Sequence, residues 1–244
     1  PQITVIYRVT QGGYHHLDVW PHSLETVLQL ENVFKQFAND KDVVEYLGES
    51  LAGGRNRRGL LKLAALLHDI GKPQTRKKEK DRMSFHGHEH VGKDIVRSVA
   101  KLLLLSSRER MILEDMVMWH LRPGYLSNFK NPSQRAIFRY FCDTREEAAS
   151  IALLSIADQR STRGPLSTKT DEQHHEKICL GLVKRFFAAK KEMPFVCLIN
   201  GDDLIKKLKL KPSSLFGKIL QQVEEAQATG KIATKDEALA LAQK

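Results

Sequence analysis

The apolar residues of this chain recur three and four positions apart, and hardly any segment alternates as a strand does. That period predicts an all-helical fold. Leu24, Val27, Leu28, Val33, Phe34 and Phe37 form one stripe, with Ser23 placed to cap the helix. A short helix over 42–51 closes at Gly53-Gly54, and a strongly apolar one over 57–70 stops at Gly71 and Pro73. Residues 74–84 read as a polar loop rich in Lys and Arg. Helices follow over 88–105 and 108–121, with Ser106 and Glu109 spaced as a capping box, and Pro123-Gly124 ends the second. Further helices are expected from Pro132 to about Cys142, over 145–161, and over 170–190 before a break at Pro194.

Composition changes near 193–200. Beyond it, turns at Asn200-Gly201 and Thr229-Gly230 and a break at Pro212 leave room for short helices over 202–208, 214–228 and 235–242, the last opened by a Thr234/Glu237 capping pattern. The expected organisation is a helical core domain over 1–192 with a small helical appendage over 193–244. At 244 residues, the chain can bury a core without disulfides. No apolar run is long enough to span a membrane, and the start has no secretory h-region. Three widely spaced cysteines, Cys142, Cys179 and Cys197, read as reduced, buried thiols in a cytoplasmic protein. A chain opening at Pro1 suggests processing or excision from a longer one. The net charge of +10 favours polyanionic partners, nucleic acid before membrane.

The most informative string is Leu66-Leu67-His68-Asp69-Ile70-Gly71-Lys72-Pro73, where an adjacent His and Asp close an apolar helix. Imidazole nitrogen and carboxylate oxygen suit a divalent transition metal, and adjacency at a helix end lets both reach one ion. An exposed polar helix end is the alternative. Two more candidates extend the set: His22 at the start of the first helix, and Asp158 interrupting the apolar run 153–157. A buried aspartate needs a cation or a partner, so a salt bridge from Asp158 to an arginine is the competing reading. A second group comprises Phe85-His86-Gly87-His88-Glu89-His90 and His120. Gly87 marks a helix start there, which points His88 inward but not both of His86 and His90. His88 and His120 can bind a second metal, or bind and protonate a phosphate. Basic residues cluster at Arg55, Arg57 and Arg58, at Arg76, Lys77, Lys78, Lys80 and Arg82, and at Lys206, Lys207, Lys209, Lys211 and Lys218. They are solvated faces or polyanion contacts.

The order His22, His68-Asp69, His88, His120, Asp158 resembles the HD superfamily of metal-dependent phosphohydrolases. The strings 68–73 and 85–92 are similar to the HD region of bacterial tRNA nucleotidyltransferases (CCA-adding enzymes) and poly(A) polymerases. So is the tail, in Leu198-Ile199-Asn200-Gly201-Asp202-Asp203-Leu204, Phe216-Gly217-Lys218-Ile219-Leu220 and Glu237-Ala238-Leu239. Two departures stand out. Pro212-Ser213-Ser214 occupies the place of the family's Pro-Gly-Pro, and no Gly-Ser pair with spaced aspartates supplies a nucleotidyltransferase head.

The resemblance implies an all-α HD-domain helical bundle with the C-terminal helical element those enzymes use near tRNA. It implies a divalent ion (Mn, Ni, Co, Fe, Zn or Mg) on His22, His68, Asp69 and Asp158, one ion expected and two possible. Asp69, His88, His120 and Lys72 are the candidate catalytic residues, with Asp69 also orienting water and Lys72 contacting a phosphate. Arg76, Lys77, Lys78, Lys206, Lys207 and Lys218 are the candidate nucleic-acid contacts. The expected activity is a phosphodiesterase or phosphatase acting on nucleotides or RNA ends, including cyclic phosphates. The competing reading is a non-catalytic tRNA-binding half of a larger nucleotidyltransferase or poly(A) polymerase.

Overall fold

A computed structural model describes residues 3–10, 17–79, 82–162, 164, 168–192 and 196–243. Lys80 and Pro194, singled out above, lie outside them, as does the side chain of Arg82. Among the described residues the fold is all-α apart from one small hairpin. Its elements are α1 (Val19–Gln36), α2 (Lys41–Gly48), α3 (Arg57–Leu67), α4 (Lys72–Thr75), β1 (Lys77–Glu79), β2 (Arg82–Ser84), α5 (His88–Leu102), α6 (Ser107–Trp119), α7 (Arg122–Ser127), α8 (Gln134–Thr144), α9 (Ala148–Ser161), α10 (Lys169–Lys191), α11 (Gly201–Lys206), α12 (Leu215–Ala228) and α13 (Lys235–Ala242). No helix among the described residues is long and apolar enough to cross a membrane.

Two compact units emerge: residues 1–131 with 143–187, and residues 132–142 with 188–244. The stretch 132–142, which the sequence reading assigns to the first domain, thus clusters with the tail. In the first unit α9 is the central rod. Residues 148–157 are buried without interruption, because their side chains are apolar or small on every face. It packs along α1 and against α3, α6 and α7. A buried ion cluster braces α3: Arg57 pairs with Glu49 at 2.6 Å and with Glu147, and lies over the Tyr46 ring at 4.4 Å. In the second unit Ile199, Leu204, Val223, Ala238 and Ala242 form the core of α11–α13, and Arg135 and Arg139 on α8 both pair with Glu225 on α12.

Several expectations need correction. The first helix begins a turn before Ser23, at Val19 after Asp18, because Pro21 is tolerated in a first turn where its missing N–H is not needed. Ser23 instead donates its hydroxyl to the Val19 carbonyl. The loop over 74–84 holds a hairpin, with Lys77 opposite Ser84 and Glu79 opposite Arg82. Its residues carry almost no apolar alternation, so only backbone pairing reveals it. Pro123-Gly124 does not end structure but sits inside α7. Cys179 is buried, Cys142 is partly buried and Cys197 is exposed. The capping boxes at Ser106/Glu109 and Thr234/Glu237 both form, and another forms at Asn200/Asp203.

Candidate metal centre

The helical bundle brings together six of the singled-out residues from five positions along the chain. His22 lies in the first turns of α1. His68 caps the C-terminus of α3, and Asp69 follows it. His88 begins α5, His120 caps α6, and Asp158 occupies the last turn of α9. All four histidines and Asp69 are buried, while Asp158 keeps 22% of its side chain exposed and so opens the cluster to solvent.

Two triads form. In one, Asp158 Oδ1 lies 2.9 Å from His22 Nε2 and 3.6 Å from His68 Nε2. In the other, Asp69 Oδ1 lies 3.2 Å from His88 Nε2 and 3.9 Å from His120 Nε2. Asp69 joins them, because its Oδ2 is 3.2 Å from His68 Nε2 and 3.6 Å from His22 Nε2. Lys72 Nζ sits 2.6 Å from that same oxygen, 5.6 Å from the Phe85 ring centroid, and is itself buried. His86 and His90 are exposed and stand apart. Arg76, Lys77 and Lys78 are exposed on the first unit, and Lys206, Lys207 and Lys218 are exposed on the second.

The ring orientations are fixed from behind. Nδ1 of His68 lies 2.8 Å from the Ala65 carbonyl, Nδ1 of His88 2.9 Å from that of Phe85, and Nδ1 of His120 2.7 Å from that of Val117. A carbonyl only accepts, so each Nδ1 carries a proton and each Nε2 faces the centre. This repeated three-residue back-bond is available because each ring sits where its own helix, or the turn before it, presents a carbonyl.

Such a centre attracts positive charge. Burial works against a charged His68, yet Asp69 and Asp158 raise its proton affinity to about 10. Burial also opposes charge on the two carboxylates. His68 and Lys72 nevertheless hold Asp69 far below the ordinary range, and His22 and His68 do the same for Asp158. His120 moves the other way, down to about 3, through burial and then the neighbouring His88 and His68. It is therefore a neutral lone-pair donor at pH 7. Nε2 of His88 and Nε2 of His120 approach to 3.2 Å, a distance at which two lone pairs repel unless a proton or cation lies between them. Oδ2 of Asp69 is met by the Lys72 ammonium at 2.6 Å, whereas the buried Nε2 of His68 finds no hydrogen bond of good geometry among the described residues. Native interiors rarely leave such atoms unanswered, and an ion is one of the ordinary answers. A donor set of imidazoles and carboxylates fits a first-row divalent ion.

The backbone also pays attention to this geometry at Gly71. A Cβ there would overlap the carbonyl oxygen of His88 and lie 2.7 Å from the amide nitrogen of Gly92. Gly92 in turn sits so close to Val117 that its own Cβ would be 3.1 Å from Cγ1. Gly71 is thus more than a helix stop: it lets the turn carrying His68-Asp69 press onto the start of α5 and set His88 beside Asp69. Two residues that sequence reasoning missed stand behind His22, namely Ser161 and Thr26. Lone hydroxyls within helices carry no motif, so nothing in the sequence singles them out.

This helical scaffold with a His/Asp cluster defines a class, and the comparisons name it. The HD domain family model matches residues 19–162, and the chain belongs to that family. A second model, tRNA nucleotidyltransferase domain 2 (putative), matches residues 187–242. Among curated relatives, the A-adding tRNA nucleotidyltransferase of Deinococcus radiodurans is 30% identical over 100% of this chain and 50% of its own length. The CC-adding tRNA nucleotidyltransferase of Thermus thermophilus is 28% identical over 98% of this chain and 48% of its own. The bifunctional uridylyltransferase/uridylyl-removing enzyme of Ruegeria pomeroyi is 28% identical over 67% of this chain and 17% of its own. The chain spans about half the length of the two tRNA nucleotidyltransferases.

Proposed function

We propose that the chain is a metal-dependent phosphohydrolase acting on phosphoesters of nucleotides or RNA ends. The observation that carries this reading is the pair of triads joined through Asp69, with buried Nε2 and Oδ2 atoms converging beside a partly open carboxylate. His22, His68, Asp69 and Asp158 would hold the ion, and His88 with His120 would hold a second ion or the phosphate. A bound divalent ion supplies a water of lowered pKa and offsets charge on the phosphoryl group. The protein's own residues do the rest. Asp69 stays ionised beside Lys72 and can orient the attacking water through the oxygen facing the centre. Lys72 offers its ammonium to a phosphate oxygen. His120, neutral at pH 7, serves as a lone-pair donor, which favours the ligand role over phosphate protonation. The uridylyl-removing name of one relative, matched over 67% of this chain, agrees with cleavage of a nucleotidyl phosphoester.

A second reading is favoured by a separate observation. The tail resembles a tRNA nucleotidyltransferase domain, and the chain covers half of two tRNA nucleotidyltransferases. On that reading the chain recognises tRNA with the exposed Lys206, Lys207 and Lys218, and with Arg76, Lys77 and Lys78. Functionally, 1–192 would be the HD domain and 193–244 the tRNA-directed element. The two readings separate in one experiment: Asp69→Ala should abolish metal-dependent phosphodiester hydrolysis while leaving tRNA retention in a gel shift unchanged. Normal turnover by that variant refutes the proposed centre. Protein that retains tRNA but never hydrolyses, whatever the ion, favours recognition alone.

A further inference from the structure

His22 is held differently from its three companions. Their Nδ1 atoms back-bond to carbonyls three residues earlier, whereas Nδ1 of His22 lies 3.3 Å from the Ser161 hydroxyl on α9. That hydroxyl has one proton and several claimants. The Asp158 carbonyl lies 2.7 Å away and accepts it, and Thr26 Oγ1 lies 2.8 Å away. Thr26 is also committed, since its hydroxyl donates to the His22 carbonyl at 2.9 Å. Ser161 therefore spends its proton on one of the two nearer oxygens and can only accept from the ring.

We infer that Ser161 is a positioning residue: it accepts the Nδ1 proton of His22 and so reserves Nε2 of that ring for a metal ion. The inference rests on the proposed metal centre. The need for it follows from Asp158. With its carboxylate oxygen 2.9 Å from His22 Nε2, a ring lacking a partner at Nδ1 would keep its single proton on Nε2, shared with Asp158. That tautomer blocks the ligand atom. Ser161 and Thr26 are both buried, and each is fixed by a bond to its own helix, so the acceptor is rigid. The arrangement also ties the ligand to the packing of α1 on α9, the two elements that carry His22 and Asp158.

Two measurements test this on the full chain. Histidine nitrogen NMR of chelator-stripped protein should show the proton of neutral His22 on Nδ1, and Ser161→Ala should move it to Nε2. Calorimetric titration with Mn²⁺ alone should then show affinity reduced about tenfold or more in Ser161→Ala, the usual cost of losing a partner behind a metal-bound histidine. Thr26→Val removes an equally buried hydroxyl but leaves the Ser161 acceptor, so its affinity should stay near wild type. A wild-type His22 with its proton on Nε2, or equal affinities in wild type and Ser161→Ala, would overturn the inference. Wild-type protein that binds no ion refutes the metal centre instead, and the spectra recorded without metal still decide the tautomer.

Discussion

Replacing Gly71 by alanine adds one methyl group at the tightest crossing in the described structure of the site. The backbone there is ordinary, with φ of −81°, so the cost is steric and not conformational. The new Cβ would overlap the His88 carbonyl oxygen and stand 2.7 Å from the Gly92 amide nitrogen, and both are backbone atoms that no rotamer change can remove. Ordinary van der Waals separation requires the His68-Asp69 turn and α5 to part by about an ångström. Overpacking of this kind costs roughly 1–3 kcal/mol, and a backbone obstacle puts it at the upper end, about 3 kcal/mol. For a chain of this size that lowers Tm by about 6–12 °C. The same displacement moves His88 away from Asp69, and a misplacement of about 1 Å at a reacting centre costs on the order of 100-fold in rate. Circular-dichroism melting and metal-dependent hydrolysis measure the two effects. Gly181, exposed on α10 with nothing within 4 Å of an added Cβ, is the matched control. Its replacement by alanine should stabilise by about 0.5–1 kcal/mol through helix propensity. A Gly71→Ala protein that melts and turns over like wild type would refute the close-approach argument.

Three further outcomes follow from individual contacts. Arg57→Met leaves the buried Glu147 without its cation and should cost about 3–5 kcal/mol in urea unfolding; a loss below about 1 kcal/mol would show the cluster to be dispensable. Glu109 is held at about 2, first by hydrogen bonding to Arg55, against burial, and then by Ser106. Its folded value lies below the ordinary 4.5, so its contribution is complete above pH 4.5 and lost as pH falls towards 2. Glu109→Gln should therefore be less stable than wild type at pH 7 and converge on it in acid, and a stability gap that stays constant with pH would contradict this. Lys72→Met should leave the fold intact, lower phosphodiester turnover and leave metal affinity equal or higher, because the cation competing for Asp69 Oδ2 is gone; unchanged turnover would remove Lys72 from the chemistry.

Much of the helical architecture was legible because burial leaves a period in sequence. The apolar 57–67 stretch, the all-round apolar 148–157 stretch and the Ser106/Glu109 box read directly as α3, α9 and the start of α6. His68-Asp69 and Asp158 stood out because ionisable groups ending apolar helices need a reason. What escaped lacked such contrast. Met83 is the one apolar residue in the two strands of the hairpin, too little to show an alternation, so its register is read from the backbone pairing. Pro123 looked like a boundary, though it sits within the first turn of α7, where proline is admitted, as Pro21 is in the first turn of α1. Gly71 reads as a stop signal in sequence, and its nearness to His88 exists only once α4 folds back onto α5. Ser161 and Thr26 are small hydroxyls distant in sequence from His22 or indistinct beside it. Their role depends on α1 crossing α9.

The central claim is tested most directly by hydrolysis of 2′,3′-cyclic AMP by protein stripped with chelator and refilled in turn with Mn, Ni, Co, Mg or Zn. The account predicts activity that returns with at least one ion and is lost in His68→Ala and Asp158→Ala proteins that remain helical. Turnover that persists in the stripped protein, or that survives both substitutions, would contradict it.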